Sequence, residues 1–297
     1  MVENGKGACA LASSWFISSS KQVFQEPSSF REISSWGFSN PAQRKLKMQS
    51  AFKALFLDLS GVLYEGEHAV PGAANSVNRA REKGWVLRFV TNTATKDSQF
   101  IFERLIRLGI PIHNGELFTA PTAARHYIKH HGFRPYCLVH EAIRHDFDEL
   151  DQQNPNCVLI GDAQDGLNYR SLNRAFQICK AGAPLIGIGM NKYFKDDRGL
   201  NLDAGPFIRA IEWAADIQAI IMGKPSQAFF DEIVDSTPFT HHECLMVGDD
   251  VLADVVGATD AGLQGCLVRT GKYQAGDEKH LNETSLFIDS IADLIED

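Results

Sequence analysis

The chain has 297 residues and a mass of 32.9 kDa, with 44% hydrophobic and 22% charged residues, enough to build a sizeable core and two modest domains. Its formal net charge of -8 and pI near 5.7 give no basic field to hold a phosphodiester backbone, which excludes nucleic acid as an expected partner. No apolar run approaches the roughly 20 residues of a membrane span, and the six cysteines (Cys9, Cys137, Cys157, Cys179, Cys244, Cys266) contain no Cys-x-x-Cys pair, so the sequence reads as a cytoplasmic protein with reduced thiols and no membrane partner.

Residues 1–50 are rich in Ser, with Pro and isolated aromatics but no sustained periodicity, and read as a poorly ordered extension. A mitochondrial presequence is the alternative; Glu3, Glu26 and Glu32 interrupt the acid-poor pattern it needs. From 51 onward short apolar runs alternate with amphipathic stretches. A strand over 54–57 delivers Asp58; then come a helix over 73–82, a strand over 86–90, and a helix over 98–108 closing on Gly109. The alternation resumes with a strand at Phe118, helices over 122–130, 169–180, 205–215 and 226–234, and strands over 136–140, 157–161, 184–189 and 219–222. A strand over 244–247, a helix near 253–261 and a strand over 265–268 complete it.

Strands alternating with helices imply a parallel, right-handed α/β sheet. The strands ending at Asp58 and at Gly248-Asp249 can lie side by side, and open α/β sheets place ligands at the carboxyl ends of their strands. More chain lies between Val90 and Gly223 than one sheet needs, so we expect an inserted domain over 132–217 between core segments 51–131 and 218–297.

Asp58 is the candidate nucleophile: a carboxylate at a strand end, ionised at neutral pH, and followed at once by a turn. It would repel an anionic phosphoryl group unless a hard dication stood between them, and oxygen ligands suit Mg²⁺. Asp58, the main-chain carbonyl of Ser60 and an acid from the late segment 245–254 are its candidate ligands. Thr91, Asn92 and Thr93 follow another strand and can donate to phosphoryl oxygens, while Lys224, in Gly223-Lys224-Pro225, supplies a fixed cation. Each of these segments alone is an ordinary turn, and Asp250 alone reads as a helix cap. Three histidines at 126, 130 and 131 and a pair at 241–242 form no complete ligand pattern. Tyr193, Phe194, Phe207 and Trp213 could face a substrate, with core packing as the default.

In order, Asp58-Leu59-Ser60-Gly61-Val62-Leu63, Val90-Thr91-Asn92-Thr93, Gly223-Lys224-Pro225 and Gly248-Asp249-Asp250-Val251-Leu252-Ala253-Asp254 resemble the four motifs of the haloacid dehalogenase (HAD) superfamily. The resemblance runs from 51 to the C-terminus, and the insertion between motifs two and three is similar to that of its C2-capped, NagD-like branch. It implies a Rossmann-like parallel core with an inserted α/β C2 cap, and a Mg²⁺-dependent phosphatase acting through phospho-Asp58. Asp58, Ser60 and Lys224 would be catalytic, with Thr91, Asn92, Thr93 and Lys224 on the substrate. Asp58, Ser60 and Asp249 would hold the metal, with Asp250 and Asp254 behind it. Small phosphorylated substrates and a homodimer are the implied partners.

One position departs from the family pattern: Ser60 stands where most members carry a second Asp, the acid/base that is typically worth about 10²–10⁴-fold. Metal binding through the main chain survives that exchange, but leaving groups that need a strong acid do not. Pyrophosphate, phosphoramidates of the phospholysine or phosphohistidine type and aryl phosphates are therefore the expected substrates. A catalytically weak Mg²⁺- and phosphate-binding protein that acts through partners is the competing expectation.

Overall fold

The computed structural model describes residues 52–196 and 199–295; the expected extension over 1–50, with Cys9 in it, lies outside them. Its first strand, β1 (Ala54–Asp58), is buried on both faces, as an unbroken apolar run requires. A small antiparallel hairpin follows, β2 (Tyr64–Glu65) with β3 (His68–Ala69). Then come α1 (Ala73–Glu82), β4 (Val86–Thr91), α2 (Ser98–Arg107), β5 (Leu117–Thr119) and α3 (Ala120–His130). Helix α2 starts where the Asp97 carboxylate accepts from Phe100 N at 2.6 Å, and α3 where the Thr119 hydroxyl accepts from Thr122 N at 3.1 Å.

The inserted stretch contains β6 (Pro135–Leu138), β7 (Cys157–Ile160), α4 (Tyr169–Lys180), β8 (Leu185–Ile188), the antiparallel pair β9 (Tyr193–Asp196) and β10 (Gly199–Leu202), and α5 (Ala204–Ala215). The chain closes with β11 (Ile220–Met222), α6 (Gln227–Asp235), β12 (Cys244–Gly248), a π-helical turn Val251–Val256 running into α7 (Gly257–Asp260), β13 (Gln264–Val268) and β14 (Leu286–Ile288).

Two parallel sheets organise these elements. The first has the order β14-β13-β12-β1-β4-β5 and the second β11-β8-β7-β6. The expected α/β architecture is thus present, with β1 central and β12 and β4 on either side. β11 lies beyond the 217/218 boundary expected for the insertion, yet pairs with β8 in the second sheet. The β9–β10 hairpin, β14 and the β2–β3 hairpin had no counterpart in the sequence reading.

Alternation along the first sheet separates two apolar layers. Leu55, Leu57, Leu87, Phe89, Leu245 and Val247 face α1 and α2 through Val77 and Leu105. Phe56, Val90 and Met246 face the other way, in one cluster with Ala123 of α3 and Phe229 and Phe230 of α6. That cluster continues into the second sheet through Leu159, Ile186, Ile188 and Met222. A separate cluster behind the second sheet joins Val158, Ile160 and Leu185 to Ile178 and Ile208 of α4 and α5.

Candidate active site

β1 and β12 run in parallel register, with Leu57 opposite Val247, so Asp58 and Asp249 leave neighbouring strand ends although most of the chain separates them. Asp254 returns to the same place because a helical turn starts immediately after β12. Carboxylate oxygens of Asp58, Asp249 and Asp254 lie within 4.8 Å of one another. Such crowding is unstable without positive charge.

Lys224 supplies part of that charge. Its Nζ donates to Asp58 Oδ1 and lies 2.6 Å from Asp254 Oδ1, and both it and Asp254 are almost wholly buried. Burial works against the Lys224 ammonium, but Asp254 and Asp58 outweigh it and raise its pKa. The carboxylates respond to burial first. Burial pushes the Asp254 carboxyl up to about 6 against the opposing pull of Lys224. It also raises Asp58, with Lys224 opposing and Asp249 reinforcing the shift, and it raises Asp249 against a main-chain hydrogen bond from Lys272.

Three carboxylates and one ammonium leave a formal charge of minus two when all are ionised, which one divalent cation would balance. The donor set fits a hard dication: Asp249 Oδ1 is buried with no hydrogen-bond partner, whereas Asp249 Oδ2 accepts from Lys272 N at 2.7 Å. No side chain could intrude on this carboxylate from two adjoining loops. A Cβ on Gly61 (φ +90°) would stand 2.0 Å from Asp249 Oδ2, and one on Gly271 (φ +70°) would stand 2.1 Å from it.

The remaining residues singled out in the sequence divide into two groups. Thr91, at the end of β4, is 8% exposed; its hydroxyl donates to Thr93 Oγ1 at 3.0 Å and accepts from Thr93 N at 3.1 Å. Asn92 does not stand free. Its amide grips the backbone of Lys224 from both ends, Nδ2 donating to Lys224 O at 2.9 Å and Oδ1 accepting from Lys224 N at 2.8 Å. Ser60 is exposed, just past Asp58, and the turn after it is held by Gly61 N donating to Tyr64 O at 2.7 Å. Asp250 caps the π-helical turn, accepting from Leu252 N at 3.2 Å and Ala253 N at 3.0 Å.

The other candidates are engaged elsewhere. His126 sits edge-on to Phe118 with ring centroids 5.7 Å apart, His131 stacks on Phe133, and His241 pairs with Asp231 at 2.9 Å. Tyr193 and Trp213 are exposed and Phe194 and Phe207 half-buried.

One segment, part of the resemblance in sequence, had been given no role in the site. Thr270-Gly271-Lys272, after β13, closes over Asp249: the Thr270 hydroxyl donates to Gly61 O, Gly271 N donates to Glu65 Oε1 at 2.6 Å, and Lys272 N holds Asp249. Its signal was a Thr-Gly pair following an apolar strand that lies next to β12.

Residues 55–153 match the family described as haloacid dehalogenase-like hydrolase, and residues 221–294 match one described as HAD-hydrolase-like. The chain is 37% identical over 254 residues to phospholysine phosphohistidine inorganic pyrophosphate phosphatase of Rattus norvegicus, covering 83% of this chain and 94% of that protein. It is 43% identical over 232 residues to haloacid dehalogenase-like hydrolase domain-containing protein 2 of Bos taurus, covering 78% and 90%. Among solved structures, NagD from E. coli superposes with a TM-score of 0.72 at 23% identity, covering 82% of this chain and 99% of that one. 4-Nitrophenylphosphatase from Thermotoga maritima does so with a TM-score of 0.71 at 24% identity, covering 83% and 97%. These two likenesses concern the fold.

Proposed function

The chain belongs to the haloacid dehalogenase-like hydrolases, and from that membership we propose that it is a Mg²⁺-dependent phosphatase acting through a phosphoaspartyl intermediate on small phosphorylated molecules with good leaving groups. The observation that carries this reading is the buried Lys224 ammonium bridging Asp58 and Asp254 beside the unpartnered Oδ1 of Asp249.

Asp58, the carbonyl of Ser60 and Asp249 would hold the metal, with Asp254 and Asp250 behind them. Bound there, Mg²⁺ supplies Lewis-acid charge that lowers the repulsion between carboxylate and phosphoryl group. An Asp58 oxygen attacks phosphorus, the bond from phosphorus to the leaving group breaks, and the electron pair departs with that group. Water then attacks the phosphoryl-Asp58, freeing the carboxylate and inorganic phosphate. Thr91 and Thr93 offer hydroxyls to the phosphoryl oxygens. Lys224 stabilises their growing charge, and the Asn92 amide fixes the loop that carries it.

Serine at 60 supplies no carboxyl group to protonate the leaving group. Pyrophosphate, which leaves as phosphate, an N-protonated phosphoramidate, which leaves as neutral amine, and aryl phosphates meet that restriction. The rat relative's name includes two of these substrate types, which supports the reading. The inserted second sheet and its helices would act as the cap that selects among them.

Rapid quenching of the enzyme during turnover of an aryl phosphate with Mg²⁺ should trap a hydroxylamine-labile phosphoenzyme. Asp58→Asn, folded by circular dichroism, should form none and lose at least about 10³-fold in kcat. A folded Asp58→Asn protein with near-normal turnover, or a wild-type protein that binds Mg²⁺ and phosphate without forming the phosphoenzyme, would reject the mechanism; the second result would favour a binding protein.

A further inference from the structure

Lys272 brings a second ammonium to the acidic cluster. Its backbone is fixed by its N–H bond to Asp249 Oδ2 at 2.7 Å, and the two preceding residues are tied to Gly61 and Glu65. Its side chain is not fixed to the same degree. It is 70% exposed, and its Nζ reaches Asp250 Oδ2 at 3.4 Å, with that carboxylate itself 34% exposed. A pair so open to solvent is weak, so it can exchange for a stronger anion at little cost. Lys272 joins Lys224 among the cations whose attraction reaches the Asp58 carboxylate.

The two lysines differ in what they can do. Lys224 is buried against two carboxylates and belongs to the phosphoryl group being transferred. Lys272 is the solvent-exposed ammonium of the same cluster, paired with Asp250 and within the field of Asp58, Asp249 and Asp254, and so is free to meet a part of the substrate beyond the transferred phosphoryl group. An aryl group there has no use for an ammonium. A second phosphoryl group does, more so because serine at 60 brings no carboxyl to protonate it.

We propose that Lys272 is a specificity-determining residue that binds the outer, departing phosphoryl group of a phosphoanhydride substrate. This rests on the phosphatase reading above. As the bond to the bridging oxygen breaks, that oxygen keeps the electron pair, and the Lys272 ammonium pairs with the charge that develops on the departing phosphate. The exchange of the Asp250 contact for the phosphate accompanies binding. The proton stays on Lys272.

The full chain and its Lys272→Met and Lys272→Arg variants would be compared on inorganic pyrophosphate and on p-nitrophenyl phosphate at saturating Mg²⁺. Loss of one charge-assisted contact predicts that Lys272→Met lowers kcat/KM for pyrophosphate roughly 10–100-fold more than for the aryl ester, with Lys272→Arg recovering much of the difference. Equal losses on both substrates would overturn the proposal, because the Lys272 side chain would then act on the shared acidic cluster and not on the departing phosphate. So would no loss on either. Calorimetric titration in an Asp58→Asn background gives a readout independent of turnover: Lys272→Met should weaken pyrophosphate about tenfold more than inorganic phosphate, and equal weakening overturns the assignment. Absence of turnover and of a phosphoenzyme in the wild type would reject the phosphatase reading while the titration still decides the role of Lys272.

Discussion

At the scale of single residues, Ser60 stands where the resembled motif carries a second Asp, and glycines line the carboxylate of Asp249. Gly61 and Gly271 leave no room for a side chain next to Asp249 Oδ2, the oxygen that Lys272 N holds, so the seating of that carboxylate is shaped by what the neighbouring loops lack. Ser60→Asp would restore an acid beside the proposed nucleophile. If leaving-group protonation limits the native protein, alkyl phosphate hydrolysis should rise, by up to the roughly 10²–10⁴-fold range of acid/base catalysis, while pyrophosphate hydrolysis changes little. The check is kcat/KM across leaving groups of graded pKa, with folding and Mg²⁺ affinity measured alongside; an unchanged slope would remove Ser60 from substrate choice. The places of Asp58 and Asp249 were legible in the sequence because one ends an apolar strand and the other directly follows one. The part played by Asn92 was not, since its amide meets the backbone of a residue 132 positions away and no local pattern records that.

At the scale of elements, periodicity located most helices closely because each buries one stripe: α1 and α4 occupy the expected spans. Where apolar residues face outward the pattern misleads. Tyr193, Leu200 and Leu202 of the β9–β10 hairpin are 60–71% exposed, and that hairpin escaped the sequence reading. The turn into β12 carries a pH-sensitive cap. Glu243 accepts from Thr240 N at 3.0 Å and its hydroxyl at 2.7 Å, and pairs with Lys53 at 2.5 Å. The side-chain bond from Lys53, followed by the bonds from Thr240, lowers the Glu243 carboxyl from 4.5 to about 2. A carboxyl depressed in the folded state contributes stability that is complete above the unfolded value and disappears as pH falls through the folded one. Thermal melts between pH 6 and 2 should therefore show a shallower acid loss in Glu243→Gln than in the wild type. Parallel curves would show that the cap carries no such linkage.

At the scale of the whole molecule, the two sheets are parts of one packed body. The apolar cluster that contains Phe56 and Met246 of the first sheet also contains Ile186 and Met222 of the second, with Phe229 buried among them. Unfolding of the described body should follow one transition, and Phe229→Ala should lower its stability by about 3–5 kcal/mol without splitting it. Urea titrations followed by far-ultraviolet circular dichroism and by tryptophan fluorescence test this, and two separated midpoints would show that the layers melt independently.

The lysine that touches Asp58 is carried just beyond β11, an edge of the second sheet, whereas Asp58 itself ends a strand of the first. On the proposed roles, recognition and chemistry are therefore not separate modules here. A substitution or insertion in the second sheet that tilts β11 by a fraction of an ångström would change how Asp58, the proposed nucleophile, is held and, through the proposed cap, which molecules reach it. Variation that could freely diversify a detachable cover is constrained along this edge, and new specificities should arise in loops remote from Met222 sooner than in the strand that leads to it.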